Sequence, residues 1–167
     1  MKIAIASDHA GFSLKEEIKD MVSRELHREV IDFGTDSEER CDFPDFAAKV
    51  AHAMQEKQAD FGILMCGTGI GMSIAANKFE GIRAAKCNSA VEATLARGHN
   101  DSNVLCLGGR MLSQEAAFQI VKAFLMSDPE PVERYKLRNQ KLEGLESMNL
   151  AEMLSRRRPK QQENAAQ

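Results

Sequence analysis

The chain has 167 residues, of which 43% are hydrophobic and 28% charged, a composition typical of one globular domain with a sizeable core. A net charge of −3 and the absence of Trp give neither the basic surface nor the stacking platforms of a nucleic-acid-binding protein. No apolar run approaches the ~20 residues of a membrane span, and no signal-peptide pattern is present, so we expect a cytoplasmic protein without a membrane partner.

Short apolar runs alternate with amphipathic stretches along the chain, and this alternation predicts parallel strands connected by helices. The predicted strands are Lys2–Ala6, Glu29–Phe33, Phe61–Met65, Ile82–Lys86 and Asn103–Leu107. The predicted helices are Phe12–Leu26, Phe43–Gln55, Met72–Asn77, Ser89–Arg97 and Gln114–Met126. A last helical segment follows Pro131 and runs to about Leu154.

These elements predict an α/β fold: a three-layer, Rossmann-like domain with a five-stranded parallel sheet flanked by helices, plus a C-terminal helix. We expect the domain to cover residues 1–150. The remainder, 151–167, is polar, and its composition predicts a disordered tail.

A glycine-rich loop follows the third predicted strand and is the most informative stretch of the chain. Cys66 ends the apolar run, and glycines then occupy alternate positions, Gly67, Gly69 and Gly71. A strand that ends in such a loop and enters a helix presents bare backbone N–H groups, which suit a phosphate or a developing oxyanion. The spacing is neither that of a Walker A loop nor G-x-G-x-x-G. A tight turn beside a structural thiol is the alternative interpretation.

The other three cysteines have no motif around them, and no C-x-x-C pair indicates a metal site. We therefore assign structural roles to Cys41, Cys87 and Cys106.

Polar side chains occur near the ends of two other strands. Asp8 and His9 follow the first strand, and His99 lies in the polar sequence 97–101, which we interpret as a turn before the fifth strand. Ligands bind at the carboxyl ends of parallel strands, so we expect a thiol, a hydroxyl, two imidazoles and a carboxylate to lie together. That set suits proton transfer next to a carbonyl. Helix capping by Asp8 and an ordinary loop position for His9 are the alternatives.

Arg134 and Arg138 are four residues apart, which places both on one face of the C-terminal helix. Two guanidinium groups on one face make a phosphate clamp. A solvated face with Glu130 and Glu133 as partners is the alternative. From the residues alone we predict an α/β enzyme that acts on a small phosphorylated metabolite.

Several segments resemble the type B ribose-5-phosphate isomerases and their sister group, the galactose-6-phosphate isomerase subunits. The resemblance covers about residues 1–150 and is most specific in the block from Cys66 to Lys78. The matching segments are residues 1–11, 31–35, 42–45, 66–78, 81–85 and 99–105.

The resemblance implies isomerisation of ribose 5-phosphate and ribulose 5-phosphate through a cis-enediolate, in the non-oxidative pentose phosphate pathway and without metal or cofactor. In the family, the thiol at the Cys66 position moves the proton between C1 and C2, and Thr68 with the loop N–H groups holds the enediolate oxygen. His99 opens the furanose ring, assisted by Asp8. The positions that match substrate-binding residues are His9, Gly67, Gly69, Ile70, Gly71, Asn100, Arg110, Arg134 and Arg138.

Family members are dimers or tetramers whose sites are shared between chains, so the resemblance implies a homodimer or homotetramer here. The chain departs from the family at Phe43, where many members carry Tyr, and over residues 131–135, which replace a Gly-Gly-Arg-His stretch. These departures leave open a related substrate, such as allose or galactose 6-phosphate or a tetrose phosphate.

Two further alternatives belong to other functional classes. A non-catalytic sugar-phosphate sensor would share the scaffold, but it has no use for Cys66, Thr68 and His99 together. A nucleotide-binding regulatory module fits the fold and not the glycine spacing.

Overall fold

The computed structural model describes residues 1–146, in which five parallel strands alternate with helices. The strands are β1 (Lys2–Ser7), β2 (Glu29–Asp32), β3 (Phe61–Cys66), β4 (Ala84–Lys86) and β5 (Val104–Gly108). The helices are α1 (Phe12–Glu25), α2 (Phe43–Gln55), α3 (Ile70–Ala76), α4 (Ala90–Asn100), α5 (Gln114–Met126) and α6 (Glu133–Glu146). The predicted α/β fold with a five-stranded parallel sheet is confirmed.

The sheet has the strand order β2-β1-β3-β5-β4, so the winding changes direction between β1 and β3. The register pairs Ser7 with Met65 and Cys66 with Gly108, which brings the ends of β1, β3 and β5 level. We call this side of the sheet the carboxyl edge and the opposite side the amino edge. In doubly wound sheets, ligands bind at the carboxyl edge beside the change of direction.

Helices cover both faces of the sheet. One face carries Ala4 and Ala6 of β1 and packs against α2 and α3, whereas the other carries Ile3 and Ile5 and packs against α1, α4 and α5. All four side chains are fully buried. A strand that is buried on both faces has a continuous apolar sequence, and this pattern predicted β1.

Helix α4 continues to Asn100, three residues beyond its predicted end at Arg97. Asp101 ends it in the left-handed conformation (φ 45°), and its N–H bonds back to the carbonyls of Ala96 and Arg97. His99 therefore lies in the last helical turn, and the prediction of a polar turn there was wrong.

The last helix is described as far as Glu146. The expected continuation to Leu154, the domain boundary at residue 150 and the predicted tail over 151–167 lie outside the described residues. Within residues 1–146, no helix combines the length and the apolar character needed to cross a membrane.

A buried lysine joins α1 to the end of β2. Lys15 is 1% exposed, and its ammonium lies 2.6 Å from the Asp32 carboxylate and 2.7 Å from Glu16. Lys19 also contacts Asp32, at 2.8 Å. The second oxygen of Asp32 accepts the N–H of Gly34 at 2.9 Å. The ion pairs thus fix the path of the chain where it leaves β2 beside the carboxyl edge.

We predict that Asp32→Asn lowers the free energy of unfolding by about 1–3 kcal/mol at pH 7, because it removes one of the two carboxylates, Asp32 and Glu16, that pair with the buried ammonium of Lys15. Urea denaturation checks the value. Asp20→Asn is the matched control, since its ion pair with Arg24 on α1 is exposed, and we expect a change below about 0.5 kcal/mol.

The same pair predicts a pH dependence. Burial alone would raise the pKa of Asp32, but hydrogen bonds from Lys15 and Lys19 outweigh it and lower the pKa below its usual value. The folded state then binds this proton less readily than the unfolded chain, so the stabilisation is complete above about pH 4–5 and is lost as the pH falls through the folded pKa. The wild-type advantage over Asp32→Asn should shrink towards pH 3; an equal advantage at pH 7 and pH 3 would contradict this account.

Candidate active site

Cys66 lies at the end of β3, where the carboxyl edge turns into the glycine loop. Its side chain is 5% exposed, and its sulfur accepts the N–H of Gly69 at 3.2 Å. Gly69 has φ +78°, and a Cβ there would lie 2.9 Å from the backbone carbon of Leu107. Only glycine fits this position, and the resulting backbone path directs the Gly69 N–H at the Cys66 sulfur.

Thr68 occupies the outer side of this loop. Its side chain is exposed, and its hydroxyl oxygen accepts the N–H of Ile70 at 3.3 Å. Ile70 is the first residue of α3, so the loop passes directly into the N-terminal turn of a helix, whose leading N–H groups lack intrahelical partners. The arrangement places a hydroxyl and backbone donors next to the thiol.

Asp8 and His9 lie beside this loop, in the turn after β1. Asp8 is buried, and one carboxylate oxygen accepts the N–H groups of Ala10 at 2.9 Å and Gly11 at 3.1 Å. Asp8 thus stabilises the turn before α1 while remaining at the carboxyl edge. The His9 ring accepts the backbone N–H of Cys41 at Nδ1, at 3.3 Å, and this contact anchors it to the loop that follows β2.

Arg110 reaches the glycine loop from the turn after β5. Its N–H donates to the carbonyl of Gly67 at 3.1 Å. A Cβ on Gly67 would lie 3.5 Å from the Arg110 Cδ and 3.7 Å from a guanidinium nitrogen. An exposed cation therefore lies alongside the glycine loop, where it can attract an anionic substrate.

Phe43 covers the start of α3. Its ring atoms lie 2.9 Å from the position that a Cβ on Gly71 would take, so the ring packs directly on that glycine. Phe43 lacks the hydroxyl that a tyrosine would bring to this surface, and its contribution here is apolar packing.

His99 and Asn100 lie at the opposite edge of the sheet from Cys66. Helix α4 follows the end of β4 and returns to the start of β5, so its last residue, Asn100, is at the amino edge, about 15 Å along the helix from its first residue. The sheet topology therefore does not bring both imidazoles and the thiol together within one chain. The parallel topology is the physical reason, because each connecting helix carries the chain back across the sheet.

Helix α6 lies at the amino edge too. The Tyr135 ring stacks on His99 with centroids 4.2 Å apart, and Glu143 lies 3.6 Å from Arg83 at the start of the β4 region. Arg134 and Arg138 are exposed on this helix. The predicted residues thus divide into one group at the carboxyl edge and another at the amino edge.

Comparison with known proteins identifies the family. The family model described as Ribose/Galactose Isomerase matches residues 3–142. The chain belongs to this family. It is 53% identical over 125 residues to ribose-5-phosphate isomerase B of Escherichia coli (strain K12), covering 74% of this chain and 83% of that protein. It is 42% identical over 151 residues to a putative sugar phosphate isomerase of Bacillus subtilis (strain 168), covering 90% of this chain and 100% of that protein.

Solved structures agree with this assignment. Ribose-5-phosphate isomerase B of Clostridium thermocellum superposes with a TM-score of 0.84 at 46% identity, covering 87% of this chain and 97% of that chain. The ribose 5-phosphate isomerase of Thermotoga maritima gives a TM-score of 0.82 at 50% identity, covering 86% of this chain and 97% of that chain.

In this member of the Ribose/Galactose Isomerase family, Cys66 differs from Cys87 and Cys106 in what surrounds its sulfur. Burial, with Glu92 nearby, raises the pKa of Cys87 to about 11, and burial raises the pKa of Cys106 well above its usual value. Both stay protonated near neutral pH, in agreement with structural roles. The Cys66 sulfur, in contrast, accepts the backbone N–H of Gly69.

We predict that Gly69→Ala lowers the free energy of unfolding by about 2–4 kcal/mol, combining left-handed backbone strain with overpacking against Leu107. Gly81→Ala is the matched control, because Gly81 has φ +76° and, within residues 1–146, a Cβ there would meet no atom within 4 Å. It should cost only about 1 kcal/mol. Chemical denaturation of both variants checks the difference. Equal losses would show that the contact with Leu107 contributes nothing.

Proposed function

We propose that this chain is an aldose–ketose isomerase that interconverts D-ribose 5-phosphate and D-ribulose 5-phosphate. The observation that carries the proposal is the thiol of Cys66, which accepts the N–H of Gly69 within the glycine loop. Family membership and relatives named ribose-5-phosphate isomerase B support the choice of substrate.

Proton transfer between C2 and C1 is the central step. The Cys66 thiolate removes the proton from C2, the C2–H electron pair forms the C1–C2 double bond, and the aldehyde oxygen becomes the enediolate oxygen. The thiol then returns a proton to C1 while the C2 oxygen becomes the ketone and its hydroxyl proton moves to the C1 oxygen. A positioned base contributes about 10²–10⁴ in rate, and each oxyanion donor, here Thr68 and the loop N–H groups, about 10²–10³.

Ring opening precedes this step when ribose 5-phosphate enters as a furanose. The anomeric hydroxyl gives up its proton, the C1–O4 bond breaks with its electron pair going to O4, and O4 takes up a proton. We assign the proton donor for O4 to His99, with Asp8 assisting at the hydroxyls and Asn100 binding a sugar hydroxyl. The phosphate is bound by His9 and cationic side chains, among them Arg110 at the carboxyl edge.

Because His99 lies at the amino edge, we infer that a second copy of the chain supplies it, together with Arg134 and Arg138. A homodimer with shared sites would bring the two groups of residues together. Exposed apolar side chains support an interface beside the glycine loop, since such surfaces mark sites of association. They are 43 to 68% exposed and occur four residues apart on two helices: Ile70 and Ile74 on α3, Val91 and Leu95 on α4.

We place the protein in a reducing cytoplasm. All four cysteines are free, and the proposed chemistry requires Cys66 to remain a thiol, which such a compartment favours.

Replacement of the proposed base tests the reaction class. Cys66→Ala should lower the isomerisation of ribose 5-phosphate by about 10³-fold or more, because the variant lacks the thiol that faces the loop N–H groups. The assay measures ribulose 5-phosphate formation with a chelator present. Cys41→Ala is the control, since it removes a thiol but keeps the backbone contact with His9, and it should retain near wild-type turnover. Turnover that survives in Cys66→Ala would exclude this thiol as the base.

Mixed dimers test the shared site. Cys66→Ala and His99→Ala chains, each of low activity alone, are mixed one to one after dissociation. Half of the dimers then carry one intact site of two, so about a quarter of wild-type activity should return. Each variant taken separately through the same treatment is the control. No recovery in a mixture that contains heterodimers would contradict a site built from two chains.

A further inference from the structure

The imidazole of His99 is held by side chains from the segment that leads into α6. The Tyr135 ring stacks on it at 4.2 Å with an interplanar angle of 29°, and a Glu130 carboxylate oxygen lies 3.4 Å from its Nε2. The Asn139 amide donates to the His99 carbonyl at 3.2 Å. Tyr135 thus contacts the face of the His99 ring, Glu130 its Nε2 edge and Asn139 its backbone carbonyl.

Glu130 is itself fixed against α4. Its N–H donates to the carbonyl of Gly98 at 2.9 Å, and its carboxylate oxygen lies 3.0 Å from where a Cβ on Gly98 would be. Any larger side chain at Gly98 would push the carboxylate away. Pro129 and Pro131 flank Glu130 and restrict its backbone. One glycine and two prolines therefore place this carboxylate beside the next residue of α4, His99.

A carboxylate beside one imidazole nitrogen has a defined chemical effect. It fixes which nitrogen carries the proton and orients the ring. With Nε2 facing Glu130, Nδ1 is the nitrogen available to a substrate. Arg134 is the nearby cation. It donates a hydrogen bond to the Tyr135 hydroxyl at 2.9 Å. This bond, together with the Glu130 carboxylate, raises the pKa of Arg134.

We propose that Glu130 is a positioning residue for furanose opening: it orients His99 through Nε2, so that Nδ1 delivers the proton to O4 as the C1–O4 bond breaks. Glu130 does not touch the substrate. This inference rests on the proposed function and adds the residue that prepares the proton donor. Proton transfer between C1 and C2 belongs to Cys66 and does not require Glu130.

The experiment separates the two steps by using two reactions of the same enzyme. Ribose 5-phosphate must be opened before it isomerises. Ribulose 5-phosphate has its C5 oxygen phosphorylated and stays open, so exchange of its C1 proton with deuterium in D₂O requires only enolisation. Isomerisation is followed by ribulose 5-phosphate formation, and exchange by proton NMR of ribulose 5-phosphate.

Glu130→Gln should lower isomerisation by about 10- to 100-fold, the effect expected for loss of a carboxylate that supports a functional imidazole. Exchange into ribulose 5-phosphate should change by less than about twofold. Glu25→Gln, at an exposed carboxylate on α1, is the matched control and should leave both rates unchanged. In a His99→Ala background, Glu130→Gln should have no further effect on isomerisation, because the two residues act as one unit.

Equal losses of isomerisation and exchange in Glu130→Gln would assign the residue a structural role and overturn the proposal. Unchanged isomerisation in that variant would overturn it as well, while leaving the proposed function intact. Wild-type protein that neither isomerises ribose 5-phosphate nor exchanges ribulose 5-phosphate would instead overturn the proposed function, and this proposal with it.

Discussion

Close approach of backbone to backbone at the carboxyl edge is the constraint on which the site depends. A Cβ on Gly11 would lie 2.8 Å from Met65, one on Gly69 2.9 Å from Leu107, and one on Gly109 2.7 Å from the carbonyl oxygen of Ala10. The turns after β1, β3 and β5 thus touch without intervening side chains. The path of the glycine loop also directs a backbone donor, the Gly69 N–H, at the sulfur of the buried Cys66.

A second constraint operates at the amino edge, around Asp101. Its carboxylate accepts from Arg97 at 2.7 Å and from Arg83 at 2.9 Å. Arg97 is buried, and its guanidinium lies over the Phe61 ring at 4.8 Å from the centroid. A buried, always charged guanidinium needs such a partner. The resulting cluster ends α4 at a fixed point and thereby presents His99 to α6.

The parts of the fold that the sequence predicted well are those governed by local patterns. The bounds of α2 and α5 were predicted to the residue. In the structure, Pro44 lies in the first turn of α2 and the Ser113 side chain caps α5. The glycine loop was recognised since its residues are contiguous. The end of α4 was misjudged because the polar residues 97–101 were interpreted as a turn, whereas Arg97 pairs with Asp101 at the end of the helix. Arg83, which is distant in the sequence, also contacts Asp101, and it does so only through the tertiary fold.

In the candidate site, too, some residues were predicted from local sequence patterns, whereas other contacts depend on the tertiary fold. Cys66, Thr68 and Asp8 were predicted from strand ends, and the structure brings them to one edge. The contact between Glu130 and His99 was not predicted, because it joins residues from different elements; its only local signal was a glutamate between two prolines. Arg110 was assigned by resemblance alone, since nothing in its immediate sequence indicates that β5 ends beside Gly67.

Separation of the two groups of residues within one chain has a chemical consequence for the proposed enzyme. A base that accepts a proton from carbon and an acid that donates one to O4 act on different atoms of the substrate, so they need to face it from different sides rather than contact each other. Cys66 lies on β3 and His99 on α4, at opposite edges of the sheet, so the thiol and the imidazole do not meet within one chain. In the proposed dimer the two groups approach from different chains, with the substrate between them. Each of the two groups is oriented within its own chain: Gly69 contacts the thiol, and Glu130 contacts the imidazole. Dimer formation then has only to bring the two oriented groups together.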